Sequence, residues 1–333
     1  MKKAIILLPI AFLILLPSIA FTSPPNNTGL TAKIIAANGQ MIAGTVNATG
    51  FDIGVYVGPG ITGVVITNAK IFGANDHGIF VQDTKGIVIK DSNITGNGVS
   101  PHNGLPEDKA ITLSGTTNCL VKDNFVEFNG VGGISITDDG PVSPGSLNSG
   151  SPRPGQGNRI TGNLIKNNIG DCGIVIAAFN PGEGVSDNMV TCNKVIGNSF
   201  GPTNPPFIGG IVVAADTPST TVKDNLVLGN TVIGGWIPGI IVHSNAPGDL
   251  VTGTIVAFNK LISNGAGPDP TDAPNTAGIV IANEALGAGA ILTHTIVVWN
   301  TVTNDYYGVW HKGDTKTNII LLLGNAVVKI GHP

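Results

Sequence analysis

The chain is poor in charge: 17 Lys and Arg stand against 21 Asp and Glu, so charged residues make up only 11% of its 333 positions. A globular α/β enzyme usually carries about a quarter. No basic run occurs, and the net charge is −4, which excludes nucleic acid as an expected partner. Aromatic residues are scarce at 5%, so the core must be aliphatic. There are only two arginines, Arg153 and Arg159. The three cysteines, Cys119, Cys172 and Cys192, leave at least one thiol free, and buried free thiols are the expectation for all three. Beyond residue 22 no stretch is long and apolar enough to span a bilayer.

What is abundant is Gly, 47 residues, and Asn, 33 residues, set among β-branched aliphatics. That mixture favours short strands joined by tight turns. Lys2 and Lys3 precede an apolar run from Ala4 to Leu16, followed by Pro17 and the small residues Ser18 to Ala20. This order describes a secretory signal peptide over residues 1–22, with an uncleaved anchor as the alternative. A linker over 23–33 then leads into one long unit, 34–330, whose first coil (about 34–53) is an N-terminal cap. Secretion to the periplasm, cell surface or medium follows.

Two positions five residues apart recur along the chain: Asn68/Gly73, Ser92/Asn97, Asn124/Asn129, Asn163/Asn168, Asn188/Asn193, Asn225/Asn230, Thr254/Asn259, Thr295/Asn300 and Ile320/Asn325. In phase with them a small residue opens an alternating strand, as in Gly54-Val-Tyr-Val, Gly78-Ile-Phe-Val, Gly133-Ile-Ser-Ile, Gly173-Ile-Val-Ile and Gly239-Ile-Ile-Val. Such strands cannot bury an apolar side alone, but stacked coils can. Identical Asn side chains one coil apart, about 4.8 Å, can then hydrogen-bond as a ladder. The expectation is an all-β solenoid of about nine to ten coils with one long insertion, 140–156.

The phrases Val121-Lys-Asp-Asn-Phe-Val-Glu-Phe-Asn129 and Val222-Lys-Asp-Asn-Leu-Val-Leu-Gly-Asn230 resemble the repeats of right-handed parallel β-helix proteins of the pectate-lyase-like superfamily, close to its generic NosD-like group. The resemblance covers about residues 34 to 330. It implies three parallel sheets wound into a prism. It also implies either action on acidic polysaccharides or a non-catalytic envelope role. Signatures of the catalytic families are missing: no Gly-His-Gly, Arg-Ile-Lys or Asp-Pro-His-Asp motif is present, although Asp138-Asp139 is similar to the double aspartate of the polygalacturonases.

Variable loops at one corner (98–109, 198–209, 264–277), with the 140–156 insertion at the other end of the marker strand, make that strand the expected floor of a groove for polysaccharide or envelope glycan. Its rim offers Asp138, Asp139 and Asp216 as catalytic candidates, with Asp314 in the same phase. Asp139 and Asp216, two coils apart, should have backbones about 9–10 Å apart, near the carboxylate spacing of inverting glycoside hydrolases. Arg153, His243, Glu284 and Trp310 are the substrate-binding candidates, with Arg153 the best base for a lyase. Ca²⁺ is a possible cofactor through such carboxylates. Dispersed histidines make no zinc or copper site. Phe80, Val175, Val212, Ile241, Val280 and Trp310 should point outward, under loops, a sugar or a partner. A weakly capped C-terminal end makes homo-association a further expectation.

Overall fold

The structure is a computed structural model that describes residues 30–99, 109–140, 153–169, 171–198, 209–235, 237–265, 277–283, 289–312, 319–320 and 326–328. The expected signal segment, the expected corner loops (100–108, 199–208 and 266–276) and the middle of the expected insertion lie outside them, as do Glu284 and Asp314.

Among the described residues every pairing between strands is parallel, and the chain winds as a solenoid. The marker strands, from Ala32–Ile35 to Tyr307–Lys312, stack in chain order as one ten-stranded sheet, giving ten coils. An eighteen-stranded sheet forms the back, and a five-stranded sheet starting at Gly155–Gln156 closes the third side. The back sheet is two rows of three-residue strands, because Val65–Phe72 pairs with both Val88–Lys90 and Asn93–Thr95. Ile, Val and Leu from all sides fill one continuous core, as an aromatic-poor sequence requires.

The bends between rows explain the Asn repeat and correct its phase. The sequence suggested two Asn columns; the described coils hold three. One runs Ser92, Asn124, Asn163, Asn193, Asn230, Asn259, Asn300, each Oδ1 accepting the preceding member's backbone N–H. A second runs Asn97, Asn129, Asn168, Asn198, and a third Asn158, Asn188, Asn225. The five-residue pairs therefore change columns between Asn163/Asn168 and Asn188/Asn193. All steps are five residues, and the third column begins at Asn158 because the coil before it has Cys119 there. The residue before many column members has a positive φ, as at Asp123, Cys192 and Phe258, which turns the chain between rows.

Cys119 and Cys172 are buried free thiols, but Cys192 is exposed, since it occupies one of those outward αL corners. The outward residues of the marker strands form clusters separate from the core: Val175, Val212, Ile241 and Val280 with Trp310, and Tyr56 with Phe80. They point out as expected. The face is nevertheless buried, with Val175 the most accessible of the four aliphatics at 9%. The marker sheet is a covered wall, which corrects the open groove expected along it.

Candidate functional site

Asp138 and Asp139 end the strand Gly132–Thr137, and both are fully buried. Asp138 spends both oxygens on the next coil, accepting from Phe179 N at 2.9 Å and Asn180 N at 2.8 Å. It therefore positions a turn and faces no solvent. Asp139 turns the opposite way. Its Oδ1 accepts from Ser114 Oγ at 2.7 Å and its Oδ2 from Gln82 Nε2 at 3.1 Å. Gln82 Oε1 in turn accepts from Tyr56 Oη at 2.8 Å. The result is a polar chain running back across three coils.

At its Asp139 end that chain meets a second acid, Asp83, which no sequence motif marks. Asp83 follows the strand His77–Gln82 in a left-handed conformation, φ 46°, at the corner leading to the five-stranded sheet, and is half-buried. Its carboxyl is hydrogen-bonded to that of Asp139. Burial first, and the Asp139 charge second, push the Asp83 carboxyl up to about 7. A hydrogen bond between two carboxyls needs a proton, and the raised Asp83 carboxyl is the one that keeps it. The same burial and the two acids raise the Tyr56 hydroxyl.

Gly115 makes the pair possible. It lies in the coil between the two acids, and a Cβ there would stand 2.5 Å from Asp83 Oδ1 and 2.6 Å from Asp139 Cβ. Arg153 closes the corner. Its backbone pairs antiparallel with Asp139, which ties the two ends of the insertion together, and its exposed side chain lies near enough to lower the Asp83 carboxyl partway back. Directly after it, Pro154 and Gln156 begin the wall of a recess of about 350 Å³ on the five-stranded sheet, shared with Glu183, Ser186, Thr221 and Lys223.

The other candidates lie elsewhere. Asp216 Oδ1 accepts from Asn245 Nδ2 in the following coil at 3.0 Å, whereas Asp139 bonds to preceding coils. The two carboxylates thus diverge and do not face one groove as expected. Burial, with Asp249 beside it, pushes Asp216 up to about 6. His243 is buried between Ala214 and Ala282, and Trp310 packs beside Val280 on the wall. Among the described residues no three His, Cys, Asp or Glu side chains cluster as metal ligands.

A second pair uses the same device at the other edge of the wall. Lys109 passes over Gly132 to reach Asp171 two coils on, and both are buried. In both cases a glycine between the partners is the signal in the sequence.

The sequence profile described as "Right handed beta helix region" matches residues 27–227. No curated protein matches by sequence. Among solved structures, a periplasmic alginate epimerase superposes with a TM-score of 0.53 at 15% identity, over 93% of this chain and 64% of that one. The catalytic domain of an α-1,3-glucanase gives a TM-score of 0.46 at 13% identity, over 90% of this chain and 56% of the other. An A-module of a mannuronan C-5 epimerase from Azotobacter vinelandii gives 0.31 at 12% identity, over 84% and 89%. The chain thus spans under two thirds of the alginate epimerase's length.

Proposed function

The chain belongs to the right-handed β-helix family, and on that scaffold we propose that it binds an extracellular polysaccharide at the corner of Asp83, Asp139 and Arg153 and transfers a proton to or from it. The observation that carries this reading is the half-buried Asp83 carboxyl set against the buried Asp139 across Gly115. A half-buried carboxyl held near 7 beside a buried partner suits general acid–base work at neutral pH. Asp83 is the accessible member and meets the sugar. Asp139, fixed by Ser114 and Gln82, positions it and holds the proton in place. Arg153 supplies a cation for the carboxylate of an acidic sugar, and the recess beyond Pro154 gives the glycan a bed.

Two hydrogen-bonded carboxyls are too close to flank a glycosidic bond from opposite sides, which needs about 5 Å or more. They act from one side as a single proton-handling unit. That geometry suits proton removal or return at a sugar carbon, or protonation of a leaving oxygen. The alginate epimerase supports a carbohydrate role only as a fold relative. A periplasmic or cell-surface location belongs to the same proposal.

The test is a screen of the mature chain on acidic and neutral polysaccharides, with and without Ca²⁺, following reducing ends, unsaturated-sugar absorbance and epimer content. Turnover that disappears in Asp83→Asn and Asp139→Asn supports the reading; turnover unchanged in both overturns it. A second reading, a non-catalytic envelope solenoid, draws on the buried outer wall of the marker sheet. Silence across the whole panel would favour it.

A further inference from the structure

On the back sheet, far along the chain from Asp83, one column of corner residues changes character. Register places Thr191, Leu228, Ala257 and Val298 in line, so the corners that follow them, Cys192, Gly229, Phe258 and Trp299, also form a column. Earlier corners of this column are Asp91, Asp123 and Gly162, residues that suit a left-handed bend. Phe258 and Trp299 adopt the same bend, at φ 57° and 55°. A bulky side chain is disfavoured there, because its Cβ crowds the following carbonyl oxygen. Their rings stack, with centroids 5.0 Å apart, which offsets only part of that strain. Stability alone therefore gives no reason to keep them, and both are more than half exposed, at 61% and 56%.

The neighbouring column supplies the second observation. Lys194, Thr231, Lys260 and Thr301 are in register beside the corners, and both lysines are exposed. They stand two coils apart, about 9–10 Å. Among the described residues no ion pair joins either lysine to a carboxylate. The acids of the corner column, Asp91 and Asp123, are taken by Lys90 and Lys122. Exposed Gly229 leaves the coil between Cys192 and Phe258 without a corner side chain, and a Cβ there would meet only Cys192 Sγ, at 3.7 Å.

We propose that Phe258, Trp299, Lys194 and Lys260 form an accessory binding surface for an anionic polysaccharide. A sugar ring stacks on Phe258 over Gly229, through its C–H face, while the lysines take carboxylates of alternate units. A sugar unit of a linear polyuronate is about as long as one coil is high, so the chain lies along the solenoid axis. This surface is independent of the Asp83 corner and holds glycan whether or not the protein turns it over.

The test is affinity electrophoresis in gels containing alginate, polygalacturonate or neutral dextran, with every protein carrying Arg153→Ala to silence the other corner. Retardation by the acidic polymers and not by dextran is expected. It should weaken about tenfold in the Phe258→Asn/Trp299→Asn pair, and similarly in Lys194→Ala/Lys260→Ala. Asn fits the left-handed corner better than either aromatic, so these variants keep the fold. Phe128→Asn, at an exposed corner of a different column, should bind like its parent. No retardation of the parent, equal retardation by dextran, or unchanged binding in either double variant overturns the proposal.

Discussion

Asn163→Ala tests the ladder that holds the coils in register. Asn163 is 1% exposed, and its side chain has five hydrogen-bond partners, two of which share one Nδ2 hydrogen. Oδ1 accepts from Asn124 N at 2.9 Å and Asn124 Nδ2 at 3.0 Å. Nδ2 donates to Val121 O at 3.0 Å, Thr161 O at 3.1 Å and Asn193 Oδ1 at 2.9 Å. Each bond contributes about 0.5–1.5 kcal/mol net, and a buried group left without its partner costs about 1–3. Asn193 Oδ1 still accepts from the Asn163 backbone N–H, so that group is not orphaned. The summed loss is about 3–5 kcal/mol, at the upper edge of single-site effects. Urea unfolding followed by far-ultraviolet circular dichroism should show a lower midpoint at unchanged slope. The exposed control Thr301→Ala should stay within about 0.5 kcal/mol. A loss below about 1 kcal/mol for Asn163→Ala would refute the view that buried amide ladders lock the coils.

Two further outcomes are expected. Lys109→Ala strands Asp171 in the covered wall and should cost about 3–5 kcal/mol, whereas Lys109→Met with Asp171→Leu should recover most of it; the same urea assay reads both. Stability should rise as pH falls from about 7 to about 4, because burial raises Asp83 and Asp305 to about 7 and Asp216 to about 6. A raised carboxyl binds its proton more tightly in the folded state, so its contribution is complete below the unfolded value near 4 and is lost as pH rises through the folded value. His311, lowered by burial, works against this below about 6.5. A thermal midpoint that is highest near pH 8 would contradict the assignment.

The solenoid was legible because its signal repeats: alternating aliphatics after a small residue, and Asn at fixed offsets, appear in coil after coil. Phase within a coil was harder. All the ladder steps are five residues, so a pair taken from the first and second columns looks like one taken from the third and first. The candidate site was legible in part. Asp139 and Arg153 were identified and do meet at the base of the insertion. Asp83 shares the strand phase of Asp138, but only its left-handed turn swings the carboxyl across Gly115, and sequence does not show that turn. Asp216 was misjudged because register fixes backbone height and leaves side-chain direction open; Asn245 draws it toward the following coil.

The most direct test of the shared proton is a carbon-13 NMR titration of the Asp83 side-chain carboxyl in the intact chain, with Asp83→Asn used to assign the resonance. The account predicts a midpoint near 7 in the native protein and a clear fall in Asp139→Ala, where neither the charge nor the hydrogen bond of Asp139 remains. A native midpoint near the ordinary aspartate value of about 4, or one unmoved by loss of Asp139, would contradict it.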